Sequence, residues 1–399
     1  MIEPVHVTIE SQADIFEDRY SRLRLSGWQP SILRAARILV VGAGALGNEV
    51  IKNLALLGAG SILIVDSDTV AISNLSRSIL FRERDLGQLK AQIAAERARQ
   101  INPDLQTAWL NGDVGMELGV GVFRRMDVVI GCLDNLAARR DVNRFCWLVN
   151  KSWVDGALNG MDGLLRVFVP NQGACFECGL TEGDYADLRQ RYSCQGGLQD
   201  TGIAPVLPTT PTSASIIAAM QVEKVVRLLH QMSVPAGYEI VYSGTTNELL
   251  PIKLQPNVDC LAHEIAQPLV ELNWATAKGT TARHILNEAQ RSLGAEAILD
   301  LDREIVTGIA CVNCGALEER IIPMHRLPES EIRCPKCASR RSLISQHRID
   351  AHTKFLDLRL SELGIPPAHI LRARCQTEYL YLELTGDLPA ALTPNGSKG

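Results

Sequence analysis

An α/β fold built on a doubly wound, mainly parallel sheet is predicted for this 399-residue chain by three features of its sequence. Short β-branched apolar runs alternate with helix-forming stretches between Ile38 and Val149, a pattern that gives parallel strands covered on both faces. The first run, Ile38 to Val41, leads straight into Gly42-Ala43-Gly44-Ala45-Leu46-Gly47 and then a helix former, so strand, glycine turn and helix follow one another. A second run, Ser61 to Val65, ends in Asp66, about twenty residues past the last glycine, where an acidic side chain reaches a ribose hydroxyl.

Taken in order, residues 1 to about 35 read as a helical lead, dense in charge from Arg19 to Arg24 and broken by Pro30. Strands are expected at Ile38 to Val41, Ser61 to Asp66, Thr107 to Leu110 and Asp127 to Gly131, with helices at Asn48 to Leu57, Leu86 to Gln100 and Asn135 to Val149. Two more strand-like runs lie between Ser152 and Val169. Gly179 to Thr212 is polar and rich in Pro and Gly, and a loop this long inside a compact enzyme is usually functional. An apolar helix, Ser213 to His230, and strands Glu239 to Tyr242 and Glu248 to Leu254 close the first domain, expected over 1–255. Linker helices, one of them Thr281 to Leu293, and a zinc ribbon are expected over 256–345. A small α/β module is expected over 346–399, with a helix at Phe355 to Leu363, strands at Ile370 to Arg374 and Tyr379 to Leu384, and a disordered tail.

The glycine turn and Asp66 indicate a nucleotide without saying which. Asp68, Asn74-Leu75-Ser76-Arg77, Gly87-Gln88-Leu89-Lys90 and Cys132-Leu133-Asp134-Asn135 favour ATP over NAD. Hydride transfer needs no extra cations, whereas Arg77, Lys90 and a carboxylate for magnesium suit phosphoryl or adenylyl transfer, in which charge on the phosphates must be neutralised.

Composition narrows the class further. With 46% apolar residues the chain supports a sizeable core, and a net charge of −5 argues against a nucleic-acid surface. No apolar run approaches the ~20 residues of a membrane span, and the N-terminus lacks the cationic start of a signal peptide, so a cytoplasmic protein is expected. In such a chain eleven cysteines speak for metal rather than disulfides. Cys311-Val312-Asn313-Cys314 and Cys334-Pro335-Lys336-Cys337 have the spacing of a zinc ribbon, and Cys175-Phe176-Glu177-Cys178 is a third knuckle that needs two ligands from elsewhere. Cys132 and Cys146 lie in apolar contexts and read as core residues.

Arg19-Tyr20-Ser21-Arg22, the glycine loop, Asp66-Ser67-Asp68, Asn74 to Arg77, Gly87 to Lys90 and Asp134-Asn135 together resemble the adenylation domain of the ThiF, MoeB and ubiquitin-activating enzyme superfamily, over roughly residues 15 to 255. The resemblance implies a Rossmann-like domain that uses ATP and magnesium to adenylate the C-terminal glycine of a ubiquitin-like protein. It implies that Gly42, Gly44, Gly47, Asp66, Asp68 and Asn74 hold the nucleotide, that Arg77 and Lys90 meet its phosphates, and that Asp134 takes the magnesium. Arg22 matches the position that reaches the partner's triphosphate in a homodimer. Each has a plainer role open to it: Asp134 as cap of the next helix, Asp68 as cap of a turn, the arginines as solvated charges. The resemblance also places the partner of Cys175 and Cys178 after the last strands, where this chain has Cys260-Leu261-Ala262-His263, with imidazole in place of a thiolate.

Cys194, in the 179–212 loop, stands where the family carries an acceptor cysteine. Hydroxyls at Thr209, Thr210, Thr212 and Ser213, or no covalent step at all, remain alternatives. The ribbon and terminal module favour protein conjugation through a conjugating-type enzyme over sulfur transfer for thiamine or molybdopterin. A non-catalytic scaffold and an NAD-dependent oxidoreductase are the readings from other classes.

Overall fold

The computed structural model describes residues 18–192 and 208–388. Two short helices, α1 (Ser21–Leu25) and α2 (Pro30–Ala35), lead into β1 (Arg37–Val41). Pro30 does not break a helix, as the sequence suggested; it opens α2, where its missing N–H has no partner to lose. The chain continues through α3 (Ala45–Leu57), β2 (Ser61–Asp66), α4 (Lys90–Ile101), β3 (Gln106–Asn111), α5 (Val114–Glu117), α6 (Val120–Arg125), β4 (Val128–Gly131) and α7 (Leu136–Leu148). It then forms β5 (Trp153–Asn159), β6 (Asp162–Phe168), α8 (Glu182–Tyr192), α9 (Pro211–Leu229), β7 (Tyr238–Ser243) and β8 (Glu248–Lys253).

These strands make one sheet in the order β3-β2-β1-β4-β5-β6-β7-β8, parallel from β3 to β5 and antiparallel beyond. Strand order reverses between β1 and β4, and such a switch point opens a crevice at the C-terminal strand ends. One face buries Ile38, Val40, Ile62 and Ile64 under α3, α4 and α9. The other buries Leu39, Val41 and Val129 under residues of α5, α6 and α7. The loop expected from Gly179 to Thr212 begins with α8, whereas Cys194 lies outside the described residues.

The remainder forms a second sheet from β9 (Leu269–Leu272), β10 (Ile298–Ala310), β11 (Leu317–Pro323), β12 (Ser342–Ile349), β13 (Ile370–Cys375) and β14 (Glu378–Leu384), with α10 (Ala282–Leu293) packed on it. The long strand β10 pairs with β13 near Leu299, with β12 at Leu299 and again from Ile305 onward, and with β11 from Ile305, so ribbon and terminal strands share one sheet. Phe355 to Leu363 is not a helix. It makes turns, such as Leu358 N–H to Phe355 O and Leu363 N–H to Arg359 O, and also bonds outward: the carbonyls of Leu358 and Leu356 accept from Ala282 and Arg283 in the first turn of α10, while Leu360 N–H donates to Thr280. Among the described residues no helix is long and apolar enough to cross a membrane.

Candidate functional site

The glycine loop is shaped by close contacts below it. Gly42 has φ +97°, and a Cβ there would stand 2.3 Å from the Cys132 carbonyl oxygen; one on Gly47 would stand 2.0 Å from the Gly42 carbonyl oxygen. Gly44 faces the other way, with nothing within 4 Å of a Cβ. It is also the N-cap residue of α3, where no side chain caps the helix, so the first-turn N–H groups face an open side suited to an anion.

Asp66 ties this loop to the next segment. Its Oδ2 accepts from Ala43 N–H at 2.6 Å and its Oδ1 from Asp68 N–H at 2.8 Å. Burial pushes the carboxyl up, while those two N–H groups and the Lys90 charge pull it back. Lys90, the first residue of α4, is buried along its stem and donates Nζ to Asp68 Oδ2 at 2.7 Å. The two meet because residues 68–70 pair with 87–90: Lys90 N–H donates to Asp68 O, Val70 N–H to Gln88 O, and Gly87 turns at φ +78°.

Asn74 is buried and accepts from Ala71 N–H at 2.9 Å, fixing the turn that carries Arg77. Among the described residues Arg77 has no carboxylate partner; its guanidinium rests on the Ser73 carbonyl. Asp134 is exposed past the end of β4, with Asn135 Nδ2 donating to it at 3.3 Å. The cap of α7 is Asn135, which accepts from Ala138 N–H at 2.8 Å, so the capping role considered for Asp134 belongs to its neighbour.

Arg22 is not brought to this cluster. Two residues before it, Tyr20 packs on Gly58 at the C-terminus of α3 and accepts from Asn102 at the C-terminus of α4. Those ends lie opposite the glycine loop, about 20 Å away along α3.

Sequence reasoning passed over Asn48. Fully buried in α3, it donates to the carbonyls of Ala43 (2.7 Å) and Gly44 (3.0 Å) and accepts from Leu80 N–H at 2.8 Å, locking the glycine loop to the segment of Asn74 and Arg77. A polar residue at helical spacing among Val50, Ile51, Leu54 and Ala55 was the available signal. Cys132 lies beneath the loop and burial pushes its thiol far up, consistent with a core residue. Thr210 caps α9 through Ser213 N–H, and Ser213, itself buried, donates to the Gly160 carbonyl at 2.9 Å, so both hydroxyls have structural work.

Two ligand sets converge, each with donor atoms within 4.8 Å of one another: Cys175, Cys178, Cys260 and His263, and Cys311, Cys314, Cys334 and Cys337. Sulfur separations of 3.6 and 3.7 Å in the first and 3.5 and 3.6 Å in the second match the ~3.8 Å edge of a zinc thiolate tetrahedron. His263 presents Nε2 to Cys178 Sγ at 3.3 Å and stacks on Trp147 at 4.2 Å. Burial lowers its pKa, which favours the neutral ring that ligates metal. Burial also pushes the Cys175 and Cys260 thiols up, a cost that a bound divalent cation removes. Both donor sets therefore fit zinc.

The two ribbon knuckles repeat one turn. Cys311 O accepts from Gly315 N–H and Cys334 O from Ala338 N–H, with φ +70° at Gly315 and +56° at Ala338. A side chain at positive φ is strained, so Ala338→Gly should stabilise the zinc-loaded ribbon by about 0.5–1 kcal/mol and Gly315→Ala should destabilise it by about 1–2 kcal/mol. Thermal unfolding of the loaded protein, followed by zinc release, reads both; equal effects of the two swaps would contradict the shared geometry.

The family model described as "ThiF family" matches residues 24–262, more than half of the chain. SUMO-activating enzyme subunit 2 of Dictyostelium discoideum is 39% identical over 164 residues, which are 40% of this chain and 25% of that protein. The sulfur carrier protein ThiS adenylyltransferase of Escherichia coli is 29% identical over 250 residues, 61% of this chain and 93% of that protein. The chain thus spans about a quarter of the first relative's length and nearly all of the second's. Among solved structures, Escherichia coli MccB with ATP superposes with a TM-score of 0.52 at 19% identity, over 63% of this chain and 75% of that one, a likeness of fold.

Proposed function

Because the chain belongs to the ThiF family, we propose that it uses ATP and magnesium to adenylate the C-terminal glycine of a ubiquitin-like or sulfur-carrier protein. The observation that carries this reading is the joined cradle: the uncapped start of α3 with the open side of Gly44, bound through Asp66 to the Lys90–Asp68 pair. In it, the backbone of Gly42, Gly44 and Gly47 and the start of α3 receive phosphate. Asp66 keeps lone pairs for the ribose hydroxyls, and Arg77, Lys90 and Asn74 surround the phosphates. Asp134 supplies a hard oxygen to magnesium, an ion usually held by one or two carboxylates plus substrate phosphates. Arg22, far from its own cradle, serves a second copy in a homodimer.

The carrier's terminal carboxylate attacks the α-phosphorus of ATP, forming an acyl–phosphate bond while pyrophosphate leaves with the electrons of the α–β bridge. The cations neutralise charge that grows on the departing pyrophosphate. Labelled pyrophosphate should therefore exchange into ATP when a glycine-terminated carrier and magnesium are both present. No exchange with either ubiquitin-like or sulfur-carrier proteins would sink this reading.

Beyond adenylation, the Cys194 thiolate attacks the carbonyl of the acyl-adenylate, forming a thioester as AMP leaves, and a conjugating-type enzyme then receives the carrier. Cys194→Ala should then abolish a reductant-sensitive adduct and spare pyrophosphate exchange, while Cys194→Ser should trap a more stable oxyester. An adduct that survives Cys194→Ala moves the acceptor elsewhere. Sulfur-carrier activation is the second reading, favoured by a match along 93% of the ThiS adenylyltransferase. It predicts an acyl-adenylate handed on without a thioester to a conjugating enzyme.

A further inference from the structure

Arg139 lies in α7 just past Asp134, and its guanidinium turns back onto the sheet. Its Nη2 donates to the Leu133 carbonyl and, at 3.3 Å, to the Gly156 carbonyl, while Nε donates to Asp155 Oδ1 at 3.2 Å. Asp155 is 1% exposed, and its other oxygen receives Arg166 Nη1 at 3.3 Å; Arg166 Nε continues to Glu239 Oε2 at 2.6 Å. Four side chains thus form a ladder of alternating charge from the start of α7 across β5, β6 and β7. The residue at the end of β4 must be small beside it, since a Cβ on Gly131 would stand 3.0 Å from the Trp153 ring and 3.1 Å from Asp155 Oδ1.

Among the described residues Asp134 has no comparable support of its own. It is exposed, and Asn135 Nδ2 donates to it at 3.3 Å. Its position is set by the backbone on either side: the Asn135 cap on α7 after it, and the Arg139 grip on the Leu133 carbonyl before it. We propose that Arg139 is a positioning residue for Asp134, fixing the Leu133 carbonyl to β5 so that the carboxylate meets a divalent cation on the ATP phosphates. The proposal rests on the assignment of magnesium to Asp134. Groups that orient a ligating carboxylate tune metal affinity without touching the metal.

The test is ATP binding to the full chain, measured by calorimetry at increasing Mg2+ for the parent and Arg139→Lys. Lysine keeps a cation but has no fork to hold Asp155 through one nitrogen and the Leu133 and Gly156 carbonyls through another at the same time. The Mg2+ concentration that half-saturates the gain in ATP affinity should rise about tenfold, with affinity in the absence of Mg2+ unchanged. Asp155→Asn, which leaves both carbonyl bonds in place, should shift it in the same direction by less, and it serves if Arg139→Lys does not fold. In an Asp134→Ala background neither substitution should alter the Mg2+ response further. Equal weakening with and without Mg2+, no shift in either variant, or a shift that persists beside Asp134→Ala overturns the proposal. An Asp134→Ala protein that responds to Mg2+ like the parent removes Asp134 from the cation, and the role of Arg139 with it.

Discussion

Lys90→Ala should lower carrier-dependent pyrophosphate exchange by about 100- to 1,000-fold, and Asp134→Ala should lower it by a similar factor. The Lys90 ammonium is already held 2.7 Å from Asp68 on a buried stem, so it is ordered before phosphate arrives and gives up little entropy on binding. Asp68 is 62% exposed at its side chain, and an ion pair open to water adds no more than about 1 kcal/mol to the fold. In the transition state the same ammonium faces charge on pyrophosphate, where one well-placed donor is worth about 3–4 kcal/mol. Activity and stability should therefore separate: Lys90→Ala melts near the parent while exchange collapses. Asp68→Asn, which loosens the ammonium without removing it, should fall between the two. Exchange unchanged in both Lys90→Ala and Asp134→Ala would take these side chains out of the mechanism.

The parts of the cradle legible in the sequence are those whose spacing the backbone dictates. Gly42, Gly44 and Gly47 must recur at fixed intervals because a Cβ on the first or third would collide with main-chain oxygens at 2.3 and 2.0 Å. The Cys-x-x-Cys knuckles were legible for the same reason, as tight turns that bring two donors to one point. Arg139 was not legible, since its work depends on backbone carbonyls and on a carboxylate of β5 buried among strands, contacts that no spacing of residue types announces. Phe355 to Leu363 misled because Phe355, Leu356, Leu360 and Leu363 follow a helical pattern into a real core, while the backbone makes only isolated turns and gives the carbonyls of Leu356 and Leu358 to the N-terminus of α10. The long strand β10 was hidden by a register shift between Val306 and Gly308, which interrupts the alternation of its buried residues.

Cys175→Ser should remove one of about two zinc ions per chain and open the linker around 256–268, a larger structural effect than any single core substitution in the first domain. The site joins the knuckle after β6 to the linker before β9, and its immediate surroundings are dry: Trp147, Cys175 and Ala262 are all buried. Glu264, next after the ligand His263, accepts the Tyr381 hydroxyl and pairs with Arg372 at 2.8 Å, and Ala266 N–H donates to Leu148 at the end of α7. A metal bound there would hold the linker against α7 on one side while Glu264 holds β13 and β14 on the other. Structural zinc contributes folding energy directly, so losing it should cost at least about 5 kcal/mol, roughly 10–20 °C in melting temperature for a domain of this size. The second sheet keeps an independent attachment, in which Arg124 and Arg125 meet the fully buried Glu383 and Gly121 N–H donates to Ala368 at 2.8 Å. The expected outcome is therefore faster hydrogen exchange and proteolysis within the linker, with the second sheet still docked. His263→Ala should do the same, whereas Cys314→Ser should release the other zinc and leave the linker protected. Two zinc ions retained in both Cys175→Ser and His263→Ala, with the linker unchanged, would show that these four residues do not share a metal.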